Sequence, residues 1–155
     1  MKAKVMAILL AFTICICGFM NLNVNAAELE EVGEDIDMSY LLTEDALIGY
    51  AVAQTRGYYL SDGYSIINKA GTNKIGAGGV TRSDVLCKVS TTSIVERQTT
   101  TGWARVTSWT TTVESGYSAV VSKYLNVGTG YYYRVRSTHY ASSDVSSSYT
   151  SSLKM

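Results

Sequence analysis

The residues of this 155-residue chain that can do acid–base or nucleophilic chemistry are few, and their spacing argues against each familiar use. His139 is the sole histidine, and beyond residue 26 Cys87 is the sole cysteine. A hydrolytic triad on His139 needs a serine and a carboxylate beside it, and serines are so numerous here that their nearness in sequence carries no signal. A thiol–imidazole pair would have to join Cys87 to His139. Cys87 sits in Val85-Leu86-Cys87-Lys88-Val89 on the side of the two valines, where a buried, inert small hydrophobe is expected. One His and one Cys cannot fill a zinc site. Glycoside hydrolysis needs two opposed carboxylates, and Asp62, Asp84, Glu96, Glu114 and Asp144 are scattered in unrelated contexts. Asp35-Ile36-Asp37-Met38-Ser39 has the oxygen spacing that begins a calcium loop, without its turn glycine or closing glutamate. Gly76-Ala77-Gly78-Gly79 is followed by neither a helix pattern nor a Lys-Ser/Thr pair, so a bulged or closely packed glycine strand is expected there, not a phosphate cradle. The chain is expected to be no enzyme and to use no metal or other cofactor.

Recognition is the chemistry that remains. In Leu125–Ala141, LNVGTGYYYRVRSTHYA, a turn cluster Val127-Gly128-Thr129-Gly130 precedes an alternation of period two. Tyr131, Tyr133 and Val135 fall on one side and Tyr132, Arg134 and Arg136 on the other. If the first set faces a core, the second makes an outward row, in which guanidinium groups stack on phenols and still present donors to an anion. Tyr132, Arg134, Arg136 and Tyr140, with Arg105 from an earlier strand, are therefore the candidate ligand-binding residues. His139 belongs to the inward set and is expected to be a core or edge histidine.

The elements that must position this row follow from patterning. Lys2 and Lys4, an apolar run from Val5 to Met20 and short residues up to Ala26 form a secretory signal peptide, residues 1–26. The apolar run is shorter than the ~20 residues of a spanning helix, and Ile precedes both Cys15 and Cys17 where lipid attachment wants a small residue. The expected product is secreted and extracellular, with no transmembrane segment after cleavage. Residues 27–55 carry eight acids, Glu28 to Asp45, and read as an acidic mobile arm, with Thr43-Glu44-Asp45 able to cap a brief helix. From residue 51 the balance inverts to eleven Lys and Arg against five Asp and Glu, so the zero net charge of the chain is a sum of opposed blocks. Either the arm lies on the basic domain, or the domain meets an anionic partner.

Residues 56–155 read as consecutive strands. Gly63–Lys69 and Lys74–Val80 flank the turn Ala70-Gly71-Thr72-Asn73, and Val85–Gln98 and Trp103–Thr112 flank Thr99-Thr100-Thr101-Gly102. Trp103, Arg105, Thr107 and Trp109 share a face by strict alternation, so the indoles either fill the core or stand outward beside Arg105. Tyr117–Val127 is expected to pair with the Tyr131–Arg136 strand, and Ser146–Leu153 to form a polar edge strand. With no proline and no helical period, the expected class is all-β: an antiparallel β-sandwich, immunoglobulin-like, with a small β-barrel as the alternative. Leu125, six positions before Tyr131 across a glycine turn, resembles the tyrosine corner of immunoglobulin-like and fibronectin type III sandwiches, which implies a phenol bonded back to upstream backbone.

From about Arg56 onward, SDGYSIINKAGTNKIGAGG, IVERQTTTGWARVTSW and GYYYRVRSTHYASSD with its Ser/Thr-rich tail resemble small secreted proteins of Gram-positive Firmicutes grouped as domain of unknown function 6147. That resemblance implies export and a β-fold and assigns no functional residue. The expected function is a non-enzymatic extracellular or cell-wall-associated binding module, its partner an anionic cell-wall polymer, glycan or protein and not nucleic acid. A secreted bacteriocin-like or toxin-like effector is the alternative.

Overall fold

The computed structural model describes residues 32–51 and 57–155; residues 1–26, expected to be a signal peptide, residues 27–31 and residues 52–56 lie outside them. The described chain is an all-β, antiparallel structure in eight strands: β1 Glu34–Asp35, β2 Leu47–Tyr50, β3 Leu60–Lys69, β4 Lys74–Thr99, β5 Gly102–Asn126, β6 Tyr132–Ala141, β7 Asp144–Tyr149 and β8 Leu153–Lys154. Two of these, β4 and β5, run through both layers of a sandwich. Their register is interrupted between Arg82 and Val89, and that break divides the pairing. Lys74–Arg82 of β4 pairs with β3 on one side and with Ser118–Asn126 of β5 on the other, and β2 and β1 complete this first layer. Beyond the bend, Val89–Thr99 pairs with Gly102–Val113 of β5 and with β6, and β7 and β8 pair with β6 to complete the second layer. β3 packs against β6 and β7 without pairing to either.

Between the layers the core changes character along its length. Ile67, Ile75, Ala77, Val121 and Leu125 of the first layer meet Val95, Trp109, Tyr133 and Val135 of the second at an apolar end. At the other end the inward residues are hydroxyls and one imidazole: Ser65, Thr81, Thr91, Ser93, Ser137, His139 and Ser148, all buried. The inward side of β6 shows the gradient in a single strand, reading Tyr133, Val135, Ser137, His139, Ala141. Buried hydroxyls need partners, and here they find each other. Across the layers Ser65 Oγ lies 2.7 Å from Ser148 Oγ and Thr81 Oγ1 2.7 Å from Thr91 Oγ1, and within the second layer Ser93 Oγ lies 3.0 Å from Ser137 Oγ.

Several expectations change once the register is seen. The segment expected to be a mobile arm is built into the first layer over its described residues. β1 pairs with Tyr124 and Lys123, and β2 pairs along β3 from Leu47↔Ile67 to Tyr50↔Tyr64. Between them a 3-10 turn, Met38–Tyr40, is capped by Asp37, whose carboxylate accepts from Ser39 N at 2.8 Å. That turn presents Leu41, which is 0% exposed. An added Cβ at Gly76 or Gly78 would collide with the Leu41 side chain or, at Gly78, with the Val121 carbonyl; glycines at these outward positions make the seat into which Leu41 fits. Asn68 Nδ2 donates to the Tyr40 and Leu41 carbonyls, at 3.0 and 3.2 Å. The brief helix expected after Asp45 is instead strand β2, because Leu47 and Gly49 continue the inward side of β3.

The segment expected at Tyr117–Val127 pairs with β4 in the first layer over Ser118–Asn126, not with β6, because the bend in β5 carries it out of the second layer. The polar tail divides into β7 and β8, separated by Thr150, which bonds Val135 through both its hydroxyl, at 3.1 Å, and its amide, at 2.9 Å. The glycine run 76–79 pairs residue for residue with β5, closely packed and without a bulge. Cys87 is half-buried at the bend, its Sγ 3.4 Å from Ser83 Oγ.

Candidate ligand-binding face

Alternation along β6 turns Tyr132, Arg134, Arg136, Thr138 and Tyr140 away from the core, while Tyr133, Val135, Ser137 and His139 are buried. Tyr131, expected inward, lies before the strand and is exposed. The corner bond belongs to Tyr133: its hydroxyl donates to the Gly128 carbonyl at 3.0 Å. Gly130 at φ 83 makes the reversal that brings the phenol back, a conformation that favours glycine.

The outward row of β6 is completed from β4 and β5 through a single extra residue. Val95 pairs with Thr107, yet Glu96 pairs with Arg105, so Val106 is a β-bulge. Strict alternation would have kept Trp103, Arg105, Thr107 and Trp109 on one side. The bulge separates them: Trp109 turns inward and is 2% exposed, its indole N–H donating to the Val32 carbonyl, while Trp103 and Arg105 turn outward beside Glu96 and Gln98. The two alternatives for the indoles are both realised, one by each.

At the centre of this face stands Glu96, a residue that sequence reasoning left among scattered acids. Its carboxylate accepts from Arg134 Nε at 2.7 Å and from Arg136 Nε at 3.2 Å, and the Glu96 side chain is only 9% exposed. The Arg134 guanidinium also stacks on Trp103, 4.3 Å from the ring centroid, with Tyr149 of β7 at 5.8 Å. Lys154 Nζ stands 5.8 Å from the Tyr132 ring. Arg105 bonds the Ser108 hydroxyl through Nη2. Of the candidate residues, Arg134 and Arg136 are thus brought together by Glu96, with Arg105 opposite Glu96 in register and Tyr132 one step along β6 from Arg134. Tyr140 stands apart, four residues beyond Arg136 on the same face beside Ser90 and Val145.

This arrangement is organised for anions. The single carboxylate uses one N–H of each arginine, the Nε, and leaves the terminal amino groups of both as donors with fixed direction. Three cations, Arg105, Arg134 and Arg136, stand beside one acid, with Lys154 a rung further on at Tyr132, so the cluster is positive after its internal pairing. The aromatic rings cover the guanidinium faces without competing for their hydrogen bonds. Among the described residues the acids of the N-terminal segment lie elsewhere: Glu34 pairs with Lys74 and Asp35 with Lys123, both at 3.1 Å, in the first layer.

A nucleophile-and-base distance does occur in the molecule, in its interior. His139 Nε2 is 2.7 Å from Ser148 Oγ and Nδ1 is 2.9 Å from Thr81 Oγ1. Both ring nitrogens are used, and the third group is a hydroxyl, not a carboxylate. His139 is 0% exposed, and burial lowers its pKa to about 4, opposed in part by the charge of Asp62. A neutral imidazole bonded at both nitrogens fits a cross-layer tie.

Fold and face together define an all-β sandwich-like module with a cationic-aromatic outer sheet face. No family model and no curated protein matches the chain. Among solved structures it is similar to the solution structure of CsgH from R. palustris, at 12% sequence identity and a TM-score of 0.36, with 66% of this chain and 87% of that chain covered. No helix among the described residues is long and apolar enough to cross a membrane.

Proposed function

We propose that this chain is an exported, non-enzymatic binding module that holds an anionic polymer of the cell surface on the outer face of its second layer. The observation that carries the reading is the Glu96 clamp, which holds two arginines side by side on the outer sheet face through one N–H of each, the Nε. Fixing long side chains before the ligand arrives removes part of the ordering cost of binding, which for free arginines is substantial. The interior position of His139 and Ser148 supports a module without hydrolytic chemistry. The signal peptide read from residues 1–26 supports export.

The test is retention on isolated Gram-positive cell walls, chosen because of the Firmicutes resemblance. The parent is expected to sediment with walls at low salt and to elute as the Debye length shrinks below ~10 Å. Arg134→Ala with Arg136→Ala is combined with Glu96→Gln, since the alanines alone would leave a buried carboxylate unpaired. The triple variant is expected to keep the circular dichroism spectrum of the parent and to lose retention. Unchanged retention in the triple variant, or none in the parent at low salt, overturns the proposal.

A further inference from the structure

Beyond Arg136 the same face continues for two rungs that carry no charge at all. Thr110, Thr92, Thr138 and Ser147 form one rung across β5, β4, β6 and β7; Thr112, Ser90, Tyr140 and Val145 form the next. Charge returns only past them, in the Lys88–Glu114 pair at 2.8 Å. Thr92 Oγ1 lies 2.8 Å from Thr110 Oγ1 and Ser90 Oγ lies 2.9 Å from Thr112 Oγ1, so these hydroxyls are held in set rotamers. Each hydroxyl has one proton and two lone pairs: the Thr92–Thr110 pair keeps one donor and several acceptors for the solvent side, while Ser90, which also donates to the Thr111 carbonyl at 3.1 Å, and Thr112 keep acceptors.

We infer that the ligand of this face is a polysaccharide bearing acidic groups, whose charges meet the Glu96-clamped arginines while its uncharged sugar rings lie on the hydroxyl rungs beside Tyr140. This rests on the binding-face reading above and narrows its ligand class. A chain of phosphates presents an anion at every unit, and on the two neutral rungs those anions would leave water for hydroxyls without a cation to compensate. An acidic peptide meets the same penalty. A sugar ring matches both parts of the surface: its hydroxyls exchange bonds with Thr110, Thr138 and Ser90, and its apolar face covers the Tyr140 ring. From Arg136 to Tyr140 the strand advances about 13 Å, room for a short run of rings between the cationic end and the far pair.

The experiment compares three polyanions at low salt by titration calorimetry: hyaluronate, in which charged and uncharged sugar rings alternate, polyphosphate and polyglutamate. The parent is expected to bind hyaluronate about tenfold more tightly than the other two, the size expected when one or two well-made hydrogen bonds are gained. Thr110→Val with Thr138→Val keeps branched side chains suited to strands; it is expected to abolish the preference while leaving polyphosphate binding unchanged, and Tyr140→Ala is expected to abolish the preference as well. Equal binding of all three polyanions by the parent, or a preference untouched by either variant, overturns the inference and leaves the anionic-polymer reading standing. No binding of any of the three overturns both.

Discussion

The two outer faces of the sandwich meet solvent by opposite means. The first layer presents glycines at 76 and 78, apolar neighbours, and a strip of the chain's own N-terminal segment laid over them, with Leu41 seated in the gap. The second presents hydroxyls, cations and half-exposed rings, and among the described residues no other segment is laid over it. A face that the chain covers itself is a packing surface, and its residue types are those of a core. A face left open with fixed arginines is the one proposed above to bind a ligand. The difference also shows why composition alone misleads: the acidic segment belongs with the first layer, not with the arginines its charge would suggest.

The comparison can be broken most directly at Leu41. If the N-terminal segment is part of the packed structure, Leu41→Ala removes a fully buried side chain and should destabilise the protein by roughly 2–5 kcal/mol, read as a lower denaturation midpoint at unchanged slope. Thr110→Val on the open face should change stability by no more than about 0.5 kcal/mol. Equal effects from the two substitutions would mean that Leu41 is no more built in than a surface threonine.

The joint between the layers offers the second test. Thr81 of the first layer and Ser148 of the second both bond His139, whose pKa is lowered to about 4 by burial. The unfolded chain takes up this proton near the ordinary value of 6.5, so the neutral histidine contributes its full stability above that pH and loses it as pH falls from 6.5 toward 4. Over that window the loss amounts to about 3 kcal/mol. Urea unfolding of the parent at pH 7 and at pH 4.5 should therefore show a steeper fall than the same pair of measurements on His139→Asn. Because both proteins share every carboxylate, parallel curves would show that His139 carries none of the acid sensitivity.

Which of these features were legible beforehand depends on how local their cause is. The inward and outward sides of β6 could be read because burial of one side of a strand writes a period of two into it, and Tyr133, Val135 and Arg134 keep that period. The identity of the corner tyrosine could not, since Tyr131, Tyr132 and Tyr133 are consecutive and only the position of the Gly130 reversal selects among them. The bulge at Val106 leaves no mark in Ala104-Arg105-Val106-Thr107; without a glycine or proline there, strict alternation was the reasonable expectation, and it misplaced one indole. Glu96 was invisible as a site residue because its partners are 38 and 40 positions away and reach it only through the β4–β6 register. Leu41 was hidden by its neighbours, as an apolar anchor within an acidic run whose seat is made of residues that lack side chains.

The smallest effect expected bears on what holds the N-terminal segment in place. The opposed charge blocks of the sequence invite an electrostatic account, and Glu34–Lys74 at 3.1 Å supplies the geometry for one. Magnitude argues otherwise. The Glu34 side chain is 69% exposed, and an ion pair so open to water contributes about 0–1 kcal/mol, with salt screening most of that. Leu41, the Asn68 bonds to two carbonyls and the β2–β3 ladder act out of reach of solvent and are indifferent to ionic strength. Glu34→Gln should therefore shift the unfolding midpoint barely beyond measurement error, and raising salt should leave amide exchange of β2 as slow as before. Rapid exchange of the Leu47–Tyr50 amides at high salt, or their release in Glu34→Gln, would show that charge and not packing joins this segment to the first layer.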